Sequence, residues 1–233
     1  MQGTDGPDTL QSSVHPAVMV GGKGDDIYLV TDPADVVIEA SGEGVDEVRT
    51  TVSYTLPDNV ENMSAPYVAS IAGAGNALIG NALNNRITGP AFGGADLYGL
   101  DGDDILEGGI RASAYLDGGP GNDTLINNTG QSRGGPGADL FVVSARGAMT
   151  APDVPLTILD FTPAEGDRID GSFLKGGDPA ALFASGNLQF DAVNHRLIYT
   201  LDPARFAVQP FVVEQIILLP GVTSFDPAWI VRR

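Results

Sequence analysis

The chain has 233 residues and a net charge of −18, from 30 acidic and 12 basic side chains, and it contains no cysteine. The length suits one elongated domain or two small ones, and the acidity argues against nucleic acid and anionic membrane surfaces as partners. No apolar run approaches the ~18 residues of a membrane-spanning helix. Glycine is nearly twice as frequent as its usual ~7% share, yet 42% of the residues are hydrophobic. The sequence therefore predicts a turn-rich, folded protein.

Two glycine-rich units open the chain and start 18 residues apart. Residues 3–10 form a degenerate unit, with Asp8 at its sixth position and Leu10 at its eighth. Residues 21–29 form a complete unit, Gly-Gly-Lys-Gly-Asp-Asp-Ile-Tyr-Leu, whose candidate metal ligands are Gly22, Gly24 and Asp26. Glycines allow a sharp turn with bare carbonyl groups, the aspartate supplies a carboxylate, and the apolar eighth residue starts a short strand. Residues 12–20, between the two units, carry no acid.

Residues 31–70 interrupt the glycine pattern. Alternating β-branched residues at 36–39 and 45–56 predict strands that continue the same stack through turns without metal. In residues 75–89 asparagine stands where aspartate would; asparagine tolerates left-handed turns, and its amide oxygen can ligate a cation without supplying charge. Two interpretations stay open for this segment, an asparagine ladder, which we favour, and a metal site. Asp96, in a unit one residue short, is a candidate weak ligand.

The strongest units follow the pattern Gly-Gly-x-Gly-x-Asp-x-apolar-x and begin at residues 99, 118 and 134. Their sixth positions are aspartates, and their eighth positions are the apolar Leu106, Leu125 and Phe141. A hard cation such as calcium binds six to eight oxygens at ~2.3–2.6 Å, drawn from carboxylates and backbone carbonyls, which is what such turns offer. The candidate ligands are Gly99, Asp101, Gly102, Asp104, Gly118, Gly119, Gly121, Asp123, Gly134, Gly135, Gly137 and Asp139.

The spacing of these units predicts how they stack. One unit is half a coil of a solenoid, a turn followed by a strand, and a single unit cannot bury its apolar residue alone. Turns on one side then recur about every 18 residues, and the three strong units start 19 and 16 residues apart. We therefore expect cations between Asp104 and Asp123 and between Asp123 and Asp139. The opposite side is expected to carry Ser113 and Ser132 at the carboxylate position, which predicts a one-sided column of sites.

The composition changes after residue 144, where the repeats stop and prolines appear. Asp160, Asp167 and Asp170 surround an acidic turn that either holds a further ion or forms an Asx turn with an ion pair to Arg168. Residues 178–186 predict a short helix, with Asp178 as its cap, proline at its first position and a terminating glycine. Strands are expected at 156–161, 187–190, 196–201, 211–219 and 229–231. Because a solenoid leaves its last apolar layer open, we predict two domains, a roll at 1–145 and a cap at 146–233.

The nonapeptide pattern resembles that of the RTX (repeats-in-toxin) calcium-binding proteins. Residues 36–62, 157–170, 186–200 and 225–231 are similar to segments of serralysin-type secretion domains. The resemblance implies an all-β fold, a right-handed parallel β-roll (a β-solenoid) with a β-rich cap, and several bound Ca2+ ions. It further implies folding on extracellular calcium and export by type I (ABC transporter) secretion machinery. The chain departs from the family in residues 202–211, which lack an acidic glycine-rich turn, and in its arginines at 232 and 233.

Two functions stay open from the sequence. The first is a secreted calcium-binding module that supports folding and export, accompanied by an effector domain as in many RTX proteins. The second is an adhesion or polysaccharide-binding module, which would need an exposed basic or aromatic stripe. The chain contains no His-Glu-x-x-His zinc motif and no Gly-x-Ser-x-Gly motif, and its two histidines, His15 and His195, are expected to be structural. We therefore predict that the protein is not an enzyme.

Overall fold

In a computed structural model, the structure describes residues 1–65, 77–91, 94–109, 114–143, 155–174, 177–200 and 214–231. Short parallel strands alternate between two large sheets as the chain advances. Among the described residues, the first sheet has ten strands. In spatial order they are β1 (Thr9–Gln11), β3 (Ile27–Val30), β5 (Glu47–Thr50), β7 (Asn62–Ser64), β9 (Arg86–Thr88), β11 (Ile105–Glu107), β13 (Thr124–Asn127), β15 (Leu140–Val143), β17 (Arg168–Asp170) and β21 (Ile230–Val231).

The second sheet takes the intervening strands of the roll. Within the described ranges its nine strands are, in spatial order, β18 (Leu188–Asp191), β19 (Arg196–Thr200), β20 (Glu214–Leu218), β16 (Leu156–Ile158), β14 (Gly130–Arg133), β12 (Ala114–Asp117), β10 (Asp96–Tyr98), β8 (Ala77–Ile79) and β6 (Tyr54–Thr55). A parallel pair of β2 (Val18–Val20) and β4 (Val36–Ile38) forms the start of the roll on this side. This alternation confirms the predicted parallel β-roll.

The core is a thin column of apolar side chains from the strand residues that point inward. Strand register aligns one such residue per coil of the first sheet, and each is at most 6% exposed. The column contains Leu10, Tyr28, Val48, Met63, Ile87, Leu106, Leu125, Phe141, Ile169 and Ile230. Burying a large apolar side chain contributes about 1.5–3 kcal/mol, so the stacked column supplies the hydrophobic stabilisation that one repeat cannot.

Ser132 does not lie in a turn, contrary to prediction. It is fully buried in β14, where it pairs with Leu116 and Ile158 in the inner column of the second sheet. The cause is the short connection between β13 and β14, residues 128 and 129, which places Ser132 inside the strand. Its hydroxyl accepts a hydrogen bond from Nδ2 of Asn127 at 3.3 Å. Ser113 lies outside the described residues.

The C-terminal part closes the last coil with antiparallel strands, a short helix and aromatic packing. The strand β20 pairs in parallel with β16 and antiparallel with β19, which reverses the strand direction. The predicted helix is present as α1 (Pro179–Ser185), with the Asp178 side chain accepting a hydrogen bond from the Ala181 N–H and Gly186 ending it at φ +80°. The ring centroid of Trp229 lies 5.9 Å from that of Phe161 and 5.3 Å from that of Phe225.

Both large sheets continue across residue 145. The strand β16 pairs with β14, and β17 pairs with β15, so strand pairing is continuous from the roll into the C-terminal part. The predicted division into two domains stays a prediction. The residues at which the sequence differs from the RTX pattern, 202–211, 232 and 233, fall outside the described residues. None of the helices in the described part of the chain has the length and apolar character that a membrane crossing requires.

Candidate metal centre

The turns before the strands of the first sheet stack along one edge of the roll, and their acidic side chains form a ladder. The backbone N–H at the sixth position of each turn donates to the carboxylate of the following turn. The bonds run from Asp8 to Asp26 (2.7 Å), Asp26 to Asp46 (2.8 Å), Asp46 to Glu61 (2.8 Å), Asn85 to Asp104 (2.7 Å), Asp104 to Asp123 (2.8 Å), Asp123 to Asp139 (2.9 Å) and Asp139 to Asp167 (3.0 Å). We refer to Asp8, Asp26, Asp46, Asp104, Asp123, Asp139 and Asp167 as the aspartate ladder.

Each of these hydrogen bonds occupies only one of the two oxygens of the accepting carboxylate. Within the described part of the chain, Oδ2 is buried without a hydrogen-bond partner in Asp26, Asp46, Asp104, Asp123 and Asp139. An unpaired buried carboxylate is costly, because it has lost its hydration and has gained no compensating charge. Five such atoms in one column have no compensating partner among the described protein groups.

The glycine at the first position of each turn leaves space where a carboxylate and a carbonyl oxygen converge. A Cβ added to Gly99 would overlap Oδ2 of Asp104 and lie 2.5 Å from the carbonyl oxygen of Gly118. The same holds one coil later, where a Cβ on Gly118 would overlap Oδ2 of Asp123 and lie 2.7 Å from the Gly134 carbonyl oxygen. Carboxylates and backbone carbonyls are the donors that Ca2+ prefers, so the residues present fit a calcium ion.

Burial changes the protonation of the ladder in the metal-free protein. It raises the pKa of Asp104, Asp123 and Asp139 from 3.8 to about 7, and it raises the pKa of Asp46 to about 6. The backbone N–H that each carboxylate accepts opposes this shift, and neighbouring carboxylates add to it. A bound cation would favour the charged form and act in the opposite direction.

The predicted turn residues lie where the spacing places them. Seven of the predicted glycines have a left-handed backbone, with φ between +97° and +154°: Gly22, Gly24, Gly102, Gly119, Gly121, Gly135 and Gly137. Leu100 takes the place of the second glycine in its unit and is also left-handed, at φ +80°. Asp101 is on the exposed tip of its turn and is not part of the ladder.

A second, exposed ladder runs beside the first and was not predicted. The backbone N–H of Asp103 donates to Oδ1 of Asn84 at 2.9 Å, and that of Asn122 donates to Oδ1 of Asp103 at 2.7 Å. Ala138 continues the series by donating to Oδ1 of Asn122 at 3.0 Å. The sequence signal was a polar residue at the fifth position of successive units, just before the buried aspartate.

Two predicted ligands, Asp96 and Asp170, have other positions. Asp96 lies in β10, aligned with Ala77 and Tyr115 on the outer face of the second sheet, rather than in a turn. Asp170 ends β17 and caps the 3-10 helix Gly171–Phe173 by accepting a hydrogen bond from Ser172. The structure therefore does not assemble Asp170 with the other two members of the predicted acidic turn.

Asp167 is instead the last member of the aspartate ladder, and the Asp160 carboxylate acts on it as a neighbouring charge. Asp160 accepts the backbone N–H groups of Gly134 and Gly135, at 2.9 and 3.0 Å. Asp167 accepts the N–H groups of Asp139 and Thr162. The predicted partner Arg168 donates to the backbone carbonyl of Asp167 at 2.6 Å, rather than to a carboxylate.

The asparagine segment forms a hydrogen-bonded ladder, as favoured. Asn85 occupies the sixth position of its turn and is 2% exposed. Its Oδ1 accepts the Asn81 N–H at 2.7 Å, and its Nδ2 donates to Oδ1 of Asn81 and to the Glu61 carbonyl. Because both ends of the amide are engaged, this turn needs no cation.

Acidic side chains are unevenly shared between the two edges of the roll. On the opposite edge, the described residues include one buried aspartate, Asp35. Its Oδ1 accepts the Ala17 N–H at 2.8 Å and lies 2.9 Å from Nδ1 of His15. Asp35 is thus already satisfied by protein groups, unlike Asp26, Asp46, Asp104, Asp123 and Asp139.

Comparison with known proteins links the chain to enzymes that act on glycans. Over 91 residues it is 42% identical to endo-1,3-1,4-beta-glycanase ExsH of Rhizobium meliloti (strain 1021) and 38% identical to endo-1,3-1,4-beta-glycanase EglC of the same strain. Each match covers 38% of this chain and 18% of the glycanase, so the similarity spans less than a fifth of these relatives. No protein-family model matches the chain. The prediction that the protein is not an enzyme is contradicted, because both relatives are named as enzymes.

Proposed function

We propose that this chain is a calcium-binding β-roll module of an extracellular enzyme that acts on β-linked glycans. The observation that carries the calcium assignment is the set of five buried Oδ2 atoms without a protein hydrogen bond in the aspartate ladder. Ca2+ supplies positive charge to these turns when bound. Asp104, Asp123 and Asp139 would hold it through Oδ2, together with carbonyl oxygens such as that of Gly118.

Coupling between calcium and folding follows from the charge and burial of the ladder. Without a cation, folding must desolvate a column of carboxylates in a chain of net charge −18. A cation that binds only the folded turns adds its binding free energy to folding. Extracellular calcium modules bind with Kd values of ~10⁻⁴–10⁻³ M, so the chain would stay unfolded where calcium is scarce and fold outside the cell.

Export and glycan association are further parts of the proposal. A chain that folds only outside the cell suits type I secretion, which the similarity of its C-terminal segments to serralysin-type domains also supports. The sequence identity to a part of two glycanases supports an enzyme of the same general substrate class.

The test is far-UV circular dichroism of the chain in chelator and during a calcium titration. We expect a weakly structured spectrum in chelator and a cooperative gain of β-structure with calcium. Magnesium is the matched control, because it demands near-octahedral geometry and releases its waters reluctantly. A full β-spectrum in chelator that calcium does not change would contradict coupled folding.

Polysaccharide binding is the second candidate, and an exposed aromatic pair favours it. Tyr98 and Tyr115 lie half-exposed on the outer face of the second sheet, with ring centroids 5.8 Å apart. The Tyr115 hydroxyl donates to Asp117 at 3.0 Å, and the exposed Gln131 and Arg133 lie on the next strand. Flat aromatic faces flanked by polar groups suit the mixed apolar and hydroxyl surface of a sugar chain.

Affinity electrophoresis in a mixed-linkage β-1,3-1,4-glucan gel tests this candidate. Tyr98→Ala and Tyr115→Ala are expected to remove the retardation of the calcium-loaded protein. Arg86→Ala is the control, because Arg86 is on the first sheet, where it pairs with Glu107 at 3.1 Å. Equal retardation of all three variants would exclude the tyrosine face as the glucan-binding surface.

A further inference from the structure

A cluster of three buried carboxylates lies near the start of the roll and includes a residue from outside the glycine-rich repeats. The three residues are Asp26, Glu39 and Asp46, with exposed fractions of 1%, 8% and 0%. One carboxylate oxygen from each lies within 4.8 Å of the others. Glu39 was not among the predicted ligands, and it does not occupy the sixth position of any repeat.

Strand register explains how Glu39 reaches the ladder. Val20 of β2 pairs with Ile38 of β4, so Glu39 follows its strand as Gly21 follows the previous one. Glu39 therefore occupies the position equivalent to the first glycine of a repeat, but it carries a side chain. A Cβ on Gly21 would overlap both Oδ2 of Asp26 and Oε1 of Glu39, so the glycine of one coil provides the space for the glutamate of the next.

The cluster contains unpartnered anionic oxygens from all three residues. Oδ2 of Asp26, Oε2 of Glu39 and Oδ2 of Asp46 are buried and have no hydrogen-bond partner among the described residues. The Tyr28 hydroxyl donates to the other oxygen of Glu39. Three carboxylates at this separation repel one another strongly in a buried setting, and a hard cation relieves that repulsion through oxygen ligands.

We infer that Asp26, Glu39 and Asp46 together form a cation site for Ca2+. Its ligands are mainly side-chain carboxylates, which carry negative charge, rather than backbone carbonyls, which are neutral. The identity of the ion rests on the proposed function, whereas the convergence of the three carboxylates does not. Affinity for Ca2+ rises with the number of charged ligands, so this site is expected to bind first as calcium increases. It would fix the first coils of the roll before the later turns load.

Terbium provides a direct probe, because it replaces Ca2+ at oxygen sites and emits when a nearby tyrosine is excited. Tyr28 contacts Glu39 and is therefore an antenna for an ion in this cluster. We expect tyrosine-sensitised emission to saturate with the first ion bound to the wild-type chain. Tyr28→Phe should remove most of this first phase.

The decisive comparison is Glu39→Gln against Glu43→Gln, both followed by terbium emission and by calcium stoichiometry from isothermal titration calorimetry. Both variants remove one charge from the same loop, but the Glu43 side chain is outside the cluster. Glu39→Gln is expected to bind one ion fewer, or to bind the first ion about tenfold more weakly. Glu43→Gln should keep the ion count and weaken the first ion far less, because Glu43 acts on Asp26 and Glu39 only through its charge. Circular dichroism in saturating calcium checks that both variants fold.

The outcomes separate this site from the proposed function. If Glu39→Gln and Glu43→Gln both retain the wild-type ion count and first-ion affinity, the three-carboxylate site is wrong, although the ladder can still bind calcium. A rise in stability of Glu39→Gln without any change in ion binding would also overturn it, since the carboxylates would then share protons instead of a cation. If the wild-type chain binds no ions at all, the calcium function itself fails.

Discussion

The backbone N–H of Asp104 donates a hydrogen bond to Oδ1 of Asp123 at 2.8 Å, and Oδ2 of Asp123 is buried without a protein partner in the described part of the chain. The two oxygens of one carboxylate thus have separate roles. Oδ1 connects successive coils, and Oδ2 supplies unpaired negative charge. Because the roles belong to different atoms, a substitution can remove the charge and retain the hydrogen bond.

Asp123→Asn makes that separation. The amide oxygen can still accept the Asp104 N–H, but the anionic Oδ2 is lost. We expect the variant to be more stable than the wild type in chelator above pH 7, since a buried charge is gone, and to gain less stability from calcium. Thermal unfolding in chelator and in saturating calcium measures both effects.

Asp58→Asn is the control for this prediction, because Asp58 is exposed, is not a member of the aspartate ladder and loses the same charge. It should leave the calcium-induced increase in Tm unchanged. If Asp123→Asn and Asp58→Asn respond equally to calcium, Oδ2 of Asp123 is not a ligand.

The first glycine of a repeat offers a steric test of the same site. Gly99→Ala places a Cβ against Oδ2 of Asp104 and 2.5 Å from the Gly118 carbonyl oxygen, so the oxygens must separate. Overpacking of this kind typically costs about 1–3 kcal/mol, and the calcium stoichiometry should fall by one. Gly6→Ala is the matched control, since a Cβ there meets nothing within 4 Å. An unchanged ion count in folded Gly99→Ala would contradict the position of the ion.

Much of the fold could be predicted from the sequence because two local rules determine it. A period of two along each strand places Tyr28, Leu106 and Phe141 in the core, and all three are buried. The capping Asp178 and the terminating Gly186 mark the two ends of the helix in the local sequence. The column of aspartates follows equally directly, because identical turns must stack in register when their strands do.

The positions of Asp46, Glu39 and Ser132 were not predicted. They depend on how strands align across irregular turns, and a local sequence pattern does not show that alignment. Asp46 continues the ladder because its turn keeps the spacing Gly-x-Gly-x-Asp at residues 42–46, a signal that could have identified it. Glu39 had no such signal, since its contact with Asp26 depends on a turn longer than that of the repeat. Ser132 was misplaced because a shortened connection moved it from a turn into β14.

Stability should fall with rising pH in the absence of calcium, and it should lose most of this dependence when calcium is bound. In the metal-free native state, burial raises the pKa of Asp104, Asp123 and Asp139 from 3.8 to about 7. Between these values the native state holds more protons than the unfolded chain, so the free energy of unfolding falls as pH rises. Bound calcium favours the ionised form, so the native and unfolded carboxylates are both ionised over most of this interval, and saturating calcium should remove the fall.

Urea unfolding at several pH values between about 4 and 8, in chelator and in calcium, measures both slopes. A variant with asparagine at positions 104, 123 and 139 is the control, because it has no carboxylate to titrate there. Its stability in chelator should fall less steeply over this interval than that of the wild type, because Asp46 still titrates there. Parallel slopes with and without calcium in the wild-type protein would contradict calcium binding at these aspartates.

The core column connects packing to calcium affinity, and Leu125 tests the connection. Leu125 is 1% exposed and lies between Leu106 and Phe141 in the first sheet, so Leu125→Ala should cost about 2–5 kcal/mol. Since calcium binds only the folded turns in our proposal, the calcium concentration at half-folding should rise, although no ligand has changed. Ile126→Ala, on the half-exposed face of the same strand, should shift this midpoint far less. A large loss of stability in Leu125→Ala with an unchanged calcium midpoint would show that folding and calcium binding are independent.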